Sequence, residues 1–231
     1  MVRLRRRIIL IHIHYFISRK PGLDEAEFHR YWREVHAPIV TRIPQLRRYV
    51  QSHRIPAPGS NSPYDGCAEV LLDNFDALTA LREAPEYLQG ALADERNFID
   101  LSRVEWMVTH DHIINDVPAA GTVKGIFQLP AKPGLTHLDF RKHWITTHAQ
   151  AALKMPGIRR YVQSHLVDEA YLYARPRFDG VAHVFFDSAE AMAQSFESPA
   201  GKADMADGEL FIDVPKMSYF VAREHVVIDS R

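Results

Sequence analysis

The 231-residue sequence contains a single cysteine, Cys67. No intramolecular disulfide can form, and the chain suits a reducing compartment, where a small buried thiol in a β-type run is the expected role. Neither charge is in excess: 28 Lys and Arg stand against 29 Asp and Glu, a net charge of −1 at pH 7. The basic footprint that holds nucleic acid is therefore missing. No segment approaches the roughly 18 apolar residues of a spanning helix. The 11 glycines are scattered, and neither a GxGxxG run nor a P-loop is present, which argues against dinucleotide binding. The opening MVRLRRRIILIHIHYFI has the basic-then-apolar order of a signal peptide. Two histidines interrupt it, however, and no small-residue cleavage site follows. From these absences the expectation is a soluble, cytoplasmic protein whose partner is a small molecule, with neither nucleic acid nor membrane involved.

What the sequence does have is itself, twice. RRYVQSH occurs at Arg47 to His53 and again at Arg159 to His165, and residues 19–53 align without a gap over 131–165. The shared letters include the turn KPGL, Phe28 with Phe140, Trp32 with Trp144, His36 with His148 and Pro44 with Pro156. Further on, Tyr64-Asp65-Gly66 answers Phe178-Asp179-Gly180, and Phe98-Ile99-Asp100 answers Phe211-Ile212-Asp213. The chain is a tandem duplication. Each copy has the usual size of an independent core, and the expected division is repeat 1 over 8–113, a linker over 114–122 containing Pro118, Ala119, Ala120 and Gly121, and repeat 2 over 123–228.

Within one repeat, Ile8 to Ile17 reads as a strand closed by Lys20-Pro21-Gly22. Asp24 caps a helix whose apolar stripe is Phe28, Tyr31, Trp32, Val35, Ile39 and Ile43, ended by Pro44. Pro38 predicts a kink just after His36, with a straighter second copy where Gln150 replaces it. Strands follow over Leu46 to His53 and Gly66 to Leu72, then a helix over Phe75 to Glu95 bent near Pro85, and a last strand over Arg103 to Ile113. The order β-α-β-β-α-β is the ferredoxin-like unit. Its sheet carries helices on one face, so two copies are expected to pack their open faces together.

Strand alternation sorts the side chains. Ile9, Ile11, Ile13 and Tyr15 should meet the helices, and His12, His14 and Phe16 the open face. The heptad residues Tyr49, Gln51 and His53, their counterparts Tyr161, Gln163 and His165, and Glu69 with His183 are placed on that open face as well. Tyr, Gln and His suit a small-molecule pocket better than a dry interface. Histidine exchanges a proton near neutrality, so His36 and His148, on the flank of the helical stripe beside Trp32 and Trp144, are the candidate general acids or bases. A structural histidine tying helix to strand is the competing reading. His12-x-His14 and His110-x-His112 have metal-ligand spacing. The second copy offers Lys124 and Ile126 at the first pair, and Arg223 with His225 at the second, so no metal is expected.

The stretches FHRYWREVHAPIV with IPQLRRYV, and DFRKHWITTHAQ with MPGIRRYV, resemble the EthD family across nearly all of both repeats. The resemblance implies an α+β fold in which two ferredoxin-like βαββαβ repeats form a fused, pseudo-dimeric α+β barrel. Relatives of that barrel include cofactor-free oxygenases, dehydratases, cyclases, isomerases and haem enzymes, so the signature fixes no single reaction. The motif histidine falls on His36 and His148, and its helix proline on Pro38, with Gln150 in the second half. The expected function is cofactor-independent acid/base chemistry, a dehydration, isomerisation or cyclisation of a hydrophobic oxygenated substrate. The alternatives are an oxidoreductase or monooxygenase, cofactor-free or with haem, and a non-catalytic ligand carrier. Trp32, Trp144, His12, His14 and the heptad's Tyr, Gln and His residues would line the substrate. The pseudo-dimer is free to associate further.

Overall fold

The computed structural model describes residues 10–117, 121–172 and 175–230. The expected strand residues Ile8 and Ile9, and the linker residues Pro118, Ala119 and Ala120, lie outside them. In the first repeat β1 (Ile11–Ile17) leads to α1 (Glu25–Tyr31), a π-helical turn (Trp32–His36) and α2 (Ala37–Val40). Next come β2 (Arg48–Ile55), β3 (Gly66–Leu72), α3 (Phe75–Glu83), a second π-helical turn (Glu86–Ala91), α4 (Leu92–Glu95) and β4 (Glu105–Asp116). The second repeat gives β5 (Val123–Leu129), α5 (His137–His143), a π-helical turn (Trp144–His148), α6 (Ala149–Ala152) and β6 (Arg160–Leu166). It closes with β7 (Gly180–Phe186), α7 (Ala189–Glu197), α8 (Pro199–Phe211) and β8 (Ser218–Asp229). In the first repeat β1 pairs with β3 and β4, and in the second β5 pairs with β7 and β8 and β6 with β7, all antiparallel. The fold class is α+β, two ferredoxin-like repeats in a fused α+β barrel. β4 continues through Ile114, Asn115 and Asp116, the first three residues of the segment read as linker. Among the described residues no helix is long and apolar enough to cross a membrane.

By contact density the chain has two compact units, one made of 1–52, 64–110 and 225–231, the other of 53–63 and 111–224. Both follow the same local rules. Gly22 (φ 85°) and Gly134 (φ 94°) turn the KPGL segments through the left-handed region, which glycine enters without a Cβ clash. Asp24 then accepts from Ala26 N at 2.8 Å and Glu27 N at 3.2 Å, while in the second repeat Thr136 Oγ1 accepts from Asp139 N at 3.1 Å. These caps satisfy amides that the first helical turn leaves over.

The kink expectation needs correcting. Both copies widen into the same π-helical turn, at Trp32–His36 and Trp144–His148, although only one carries a proline. Pro38 lies in α2, which runs on directly from the π-helical turn, and the second copy forms the same turn with Gln150 in its place. What the two copies share is a tryptophan seated against a glycine. A Cβ on Gly66 would lie 2.5 Å from Trp32 Cζ3 and 2.8 Å from the Ser52 carbonyl, and Gly180 stands in the same relation to Trp144 and Ser164. Gly66→Ala and Gly180→Ala are therefore expected to destabilise by about 1 to 3 kcal/mol each through overpacking. Thermal unfolding checks this, and an unchanged midpoint for both would refute the seating.

Candidate active site

Each unit holds a cavity between its sheet and its own helices. In the first unit it measures about 530 Å³ and is walled by Ile13 and Tyr15 of β1, Trp32 and His36 of the π-helical turn, Tyr49 of β2, and Tyr87, Ala91 and Glu95 of the second helical segment. In the second unit it measures about 580 Å³ and includes Phe127, His148, Tyr161, Met192, Asp204 and Tyr219. π-helical turns are frequent at functional sites because they re-aim side chains without breaking the helix. Here they bring Trp32 and His36, and likewise Trp144 and His148, into the buried layer.

The face assigned to the heptad is corrected by these contacts. Tyr49 and Tyr161 point toward the helices, where Trp32 Nε1 donates to the Tyr49 hydroxyl at 3.1 Å and Trp144 Nε1 to the Tyr161 hydroxyl at 2.8 Å. Gln51 Nε2 donates to the Trp32 carbonyl at 2.8 Å and to the Tyr49 hydroxyl at 3.1 Å, and Gln163 repeats both bonds at 2.9 and 3.1 Å. Each tyrosine oxygen thus accepts from two fixed donors, which leaves its own proton to give. Burial raises the pKa of both phenols, so that proton stays in place. Gln51 and Gln163 stand behind the tyrosines and do not wall the cavities. His165 packs edge-on against Trp144 at 4.5 Å between ring centres, and its Nε2 lies 3.2 Å from Gln163 Oε1. Burial drives its pKa down to about 3, which keeps it neutral. His53 is buried and, by alternation, shares the face of Tyr49 and Gln51. His12 and His14 lie on the opposite face of β1, as expected, beside Glu69. His110 is drawn off to the Leu10 carbonyl at 3.1 Å, and His112 is exposed.

Tyr49→Phe would remove the proton donor and leave two indole and amide N–H groups aimed at an apolar edge. A loss of about 1 to 3 kcal/mol is expected from the unsatisfied donors, readable in chemical denaturation as a lower midpoint with an unchanged slope.

The two catalytic candidates are held by acids that sequence patterning did not single out. His36 Nδ1 donates to Asp94 Oδ2 at 2.8 Å, and the other oxygen of Asp94 accepts from Tyr31 at 2.7 Å and Asn97 at 2.9 Å. Burial alone would raise Asp94; the bonds from His36, Tyr31 and Asn97 outweigh it and hold the carboxyl ionised, below the usual range. Burial lowers the His36 pKa against the pull of Asp94. The imidazole is therefore neutral, protonated on Nδ1, with Nε2 as its basic nitrogen. Beside it, burial pushes Glu95 up to about 7 despite a 2.9 Å bond from the Tyr15 hydroxyl, and Asp94 adds a further upward push. In the second unit His148 Nδ1 lies 2.9 Å from Asp207 Oδ2 and its Nε2 is 3.5 Å from Asp204 Oδ1, a carboxyl that burial raises to about 6. The signal that could have found the dyad is the alignment of Ala93-Asp94 with Ala206-Asp207, one turn before each Phe-Ile-Asp.

The EthD domain matches residues 20–102 and again 132–215, more than half of the chain. The chain belongs to the EthD domain family. An EthD conidial pigment biosynthesis dehydratase from Metarhizium robertsii is 25% identical over 100 residues, covering 37% of this chain and 70% of the relative. Among solved structures, an anthrone oxidase-like protein superposes with a TM-score of 0.64 at 9% identity over 98% of this chain and 96% of its own. A haem-binding protein from Thermus thermophilus gives 0.54 at 12% identity over 93% and 90%. At such identities these two show the fold alone.

A haem in an EthD cavity would need an axial ligand and cations for two propionates. Among the described residues the second cavity is lined by no Lys or Arg, and its histidine has an acid on either nitrogen. Among the same residues the first has Arg82 as its one cation, with the buried carboxyl of Glu95 inside. Neither lining matches a haem.

Proposed function

We propose that this EthD-domain protein is an acid/base enzyme that removes water from an apolar β-hydroxy carbonyl compound, with the first-unit cavity as its working site. The observation that carries the reading is the inverted pair in that cavity. A histidine, ordinarily the weaker acid, is held neutral with Nδ1 locked by Asp94, while a carboxyl, Glu95, is held protonated up to about pH 7. Base and acid thus coexist in their working forms near neutrality, the condition for concerted proton transfer.

The steps balance without a co-reactant. The substrate carbonyl accepts the Tyr49 proton-donor bond, which stabilises the negative charge of an enolate. His36 Nε2 takes the proton from the carbon next to the carbonyl. Glu95 gives its proton to the β-hydroxyl, the C–O bond breaks, a C=C bond forms and water leaves. The proton on His36 then returns to Glu95. Asp94 stabilises the imidazolium that forms meanwhile. The walls are mostly aliphatic and aromatic, which favours a substrate with an apolar ring skeleton. The Metarhizium robertsii relative, a dehydratase by name, is in keeping with this class.

The test uses cyclic β-hydroxy ketones of one and two fused rings in deuterated water. Conjugated-enone absorbance should grow, and unreacted ketone should exchange its α-hydrogen for deuterium. Binding of these ketones with neither exchange nor enone formation would leave a carrier and overturn the enzymatic reading.

A further inference from the structure

We propose that the first unit carries a second, separate site, a divalent transition-metal site built from His12, His14 and Glu69 on the sheet face turned away from the helices. One ligand atom of each residue lies within 4.8 Å of the others, and the three residues are 7%, 0% and 3% exposed. The strand register explains why they meet. His14 and Glu69 are direct partners across β1 and β3, and His12 is two residues along β1, on the same face. Donors on one ion of this class stand about 3 to 3.5 Å apart given metal–ligand bonds near 2.0–2.2 Å, and His12 Nε2 is already 3.9 Å from Glu69 Oε2.

The residues around the three are arranged as metal sites require. The Thr109 hydroxyl stands between the His12 carbonyl at 3.1 Å and His14 Nε2 at 3.0 Å and so anchors the His14 ring. Ser52 Oγ donates to Glu69 Oε1 at 2.5 Å, anchoring the carboxylate, whose Oε2 faces His12 Nε2. Outer hydrogen bonds that set the tautomer of a ligating histidine and orient a ligating carboxylate are the common support of such centres. Two imidazoles and a carboxylate suit a cation of borderline softness, Zn(II) or Fe(II).

The second repeat supports the charge requirement by filling the same place differently. Lys124 stands where His12 does and Ile126 where His14 does, the latter paired with His183 in the position of Glu69. The Lys124 ammonium, 1% exposed as a side chain, is held by Glu224 at 2.6 Å. A fixed cation occupies one sheet, and a metal cation would serve the other. Sequence reading set metal aside because the His-x-His pair is not repeated; the third donor comes from a strand more than 50 residues away and shows only in the register.

The experiment takes the full chain, dialysed against a chelator and equilibrated with Co(II), whose visible ligand-field absorption reports binding without any activity assay. One Co(II) per chain, displaced by Zn(II) and accompanied by a raised melting temperature, is expected. Glu69→Gln and His14→Gln should each weaken uptake at least tenfold. Ser52→Ala removes no ligand and keeps the core volume nearly intact; it should weaken binding about 10- to 100-fold, so the proposal stays testable if the ligand variants misfold. No stoichiometric uptake by the native chain, or uptake indifferent to all three changes, would overturn the site. The acid/base reading is unaffected either way, because His36 and Glu95 lie on the other face of the sheet.

Discussion

Glu95→Gln should lower turnover by about two to four decades and, at pH 8, make the protein harder to unfold. Both effects follow from one buried carboxyl. Its pKa stands near 7 in the folded chain against an ordinary 4.5, because burial disfavours the charged form. Between those two values the folded state holds a proton that the unfolded state has released. Stability therefore falls as pH rises through the window from 4.5 to 7, and above it the native protein carries a penalty of about 3 kcal/mol, taking about 1.4 kcal/mol per unit. Glutamine does not titrate, and it still accepts from the Tyr15 hydroxyl. The variant should lose the downward slope in this window and gain up to that amount at high pH. Catalytically it loses the acid that protonates the leaving hydroxyl, so the alkaline limb of the rate profile should vanish along with most of the rate. Denaturant titrations across pH 5 to 8, paired with initial rates, read both. A variant that kept its rate, or showed the native slope, would remove Glu95 from the mechanism.

The same group shows what the sequence can and cannot deliver. The duplication, the strand and helix order, and the Trp32/His36 and Trp144/His148 pairs were legible because each rests on letters repeated at a fixed offset. Glu95 was not, since its counterpart is Gly208 and the acid of the second cavity, Asp204, sits one helical turn earlier, aligned with Ala91. The heptad's orientation failed for a different reason. Val50, Gln51 and Ser52 are all fully buried, so β2 has no wet face and alternation carries no sign. What fixed the face was the Trp32 indole reaching Tyr49, a contact that depends on the π-helical turn. Such turns have no sequence period, and they form in both copies, beside Pro38 and beside Gln150 alike.

This divergence between the cavities makes the histidine substitutions unequal. In the first unit the basic nitrogen of His36 is separate from the acid, which Tyr15 holds on its own strand-side anchor. In the second unit Phe127 stands in place of Tyr15, and the raised carboxyl of Asp204 lies 3.5 Å from His148 Nε2 itself. There, the nitrogen that would serve as base is already paired with the cavity's acid, and His143 also lies 3.1 Å from Asp207. The second cavity keeps the shape and the Tyr161 donor of a binding site without a free proton pair. His36→Gln should therefore remove about two to four decades of turnover, with substrate binding little changed, whereas His148→Gln should cost less than about tenfold, within what loss of its pairing to Asp204 and Asp207 does to folding. Single-turnover rates and calorimetric binding on the two variants separate the cases. Equal losses would make both halves catalytic, and a larger loss from His148 would move the working site to the second unit.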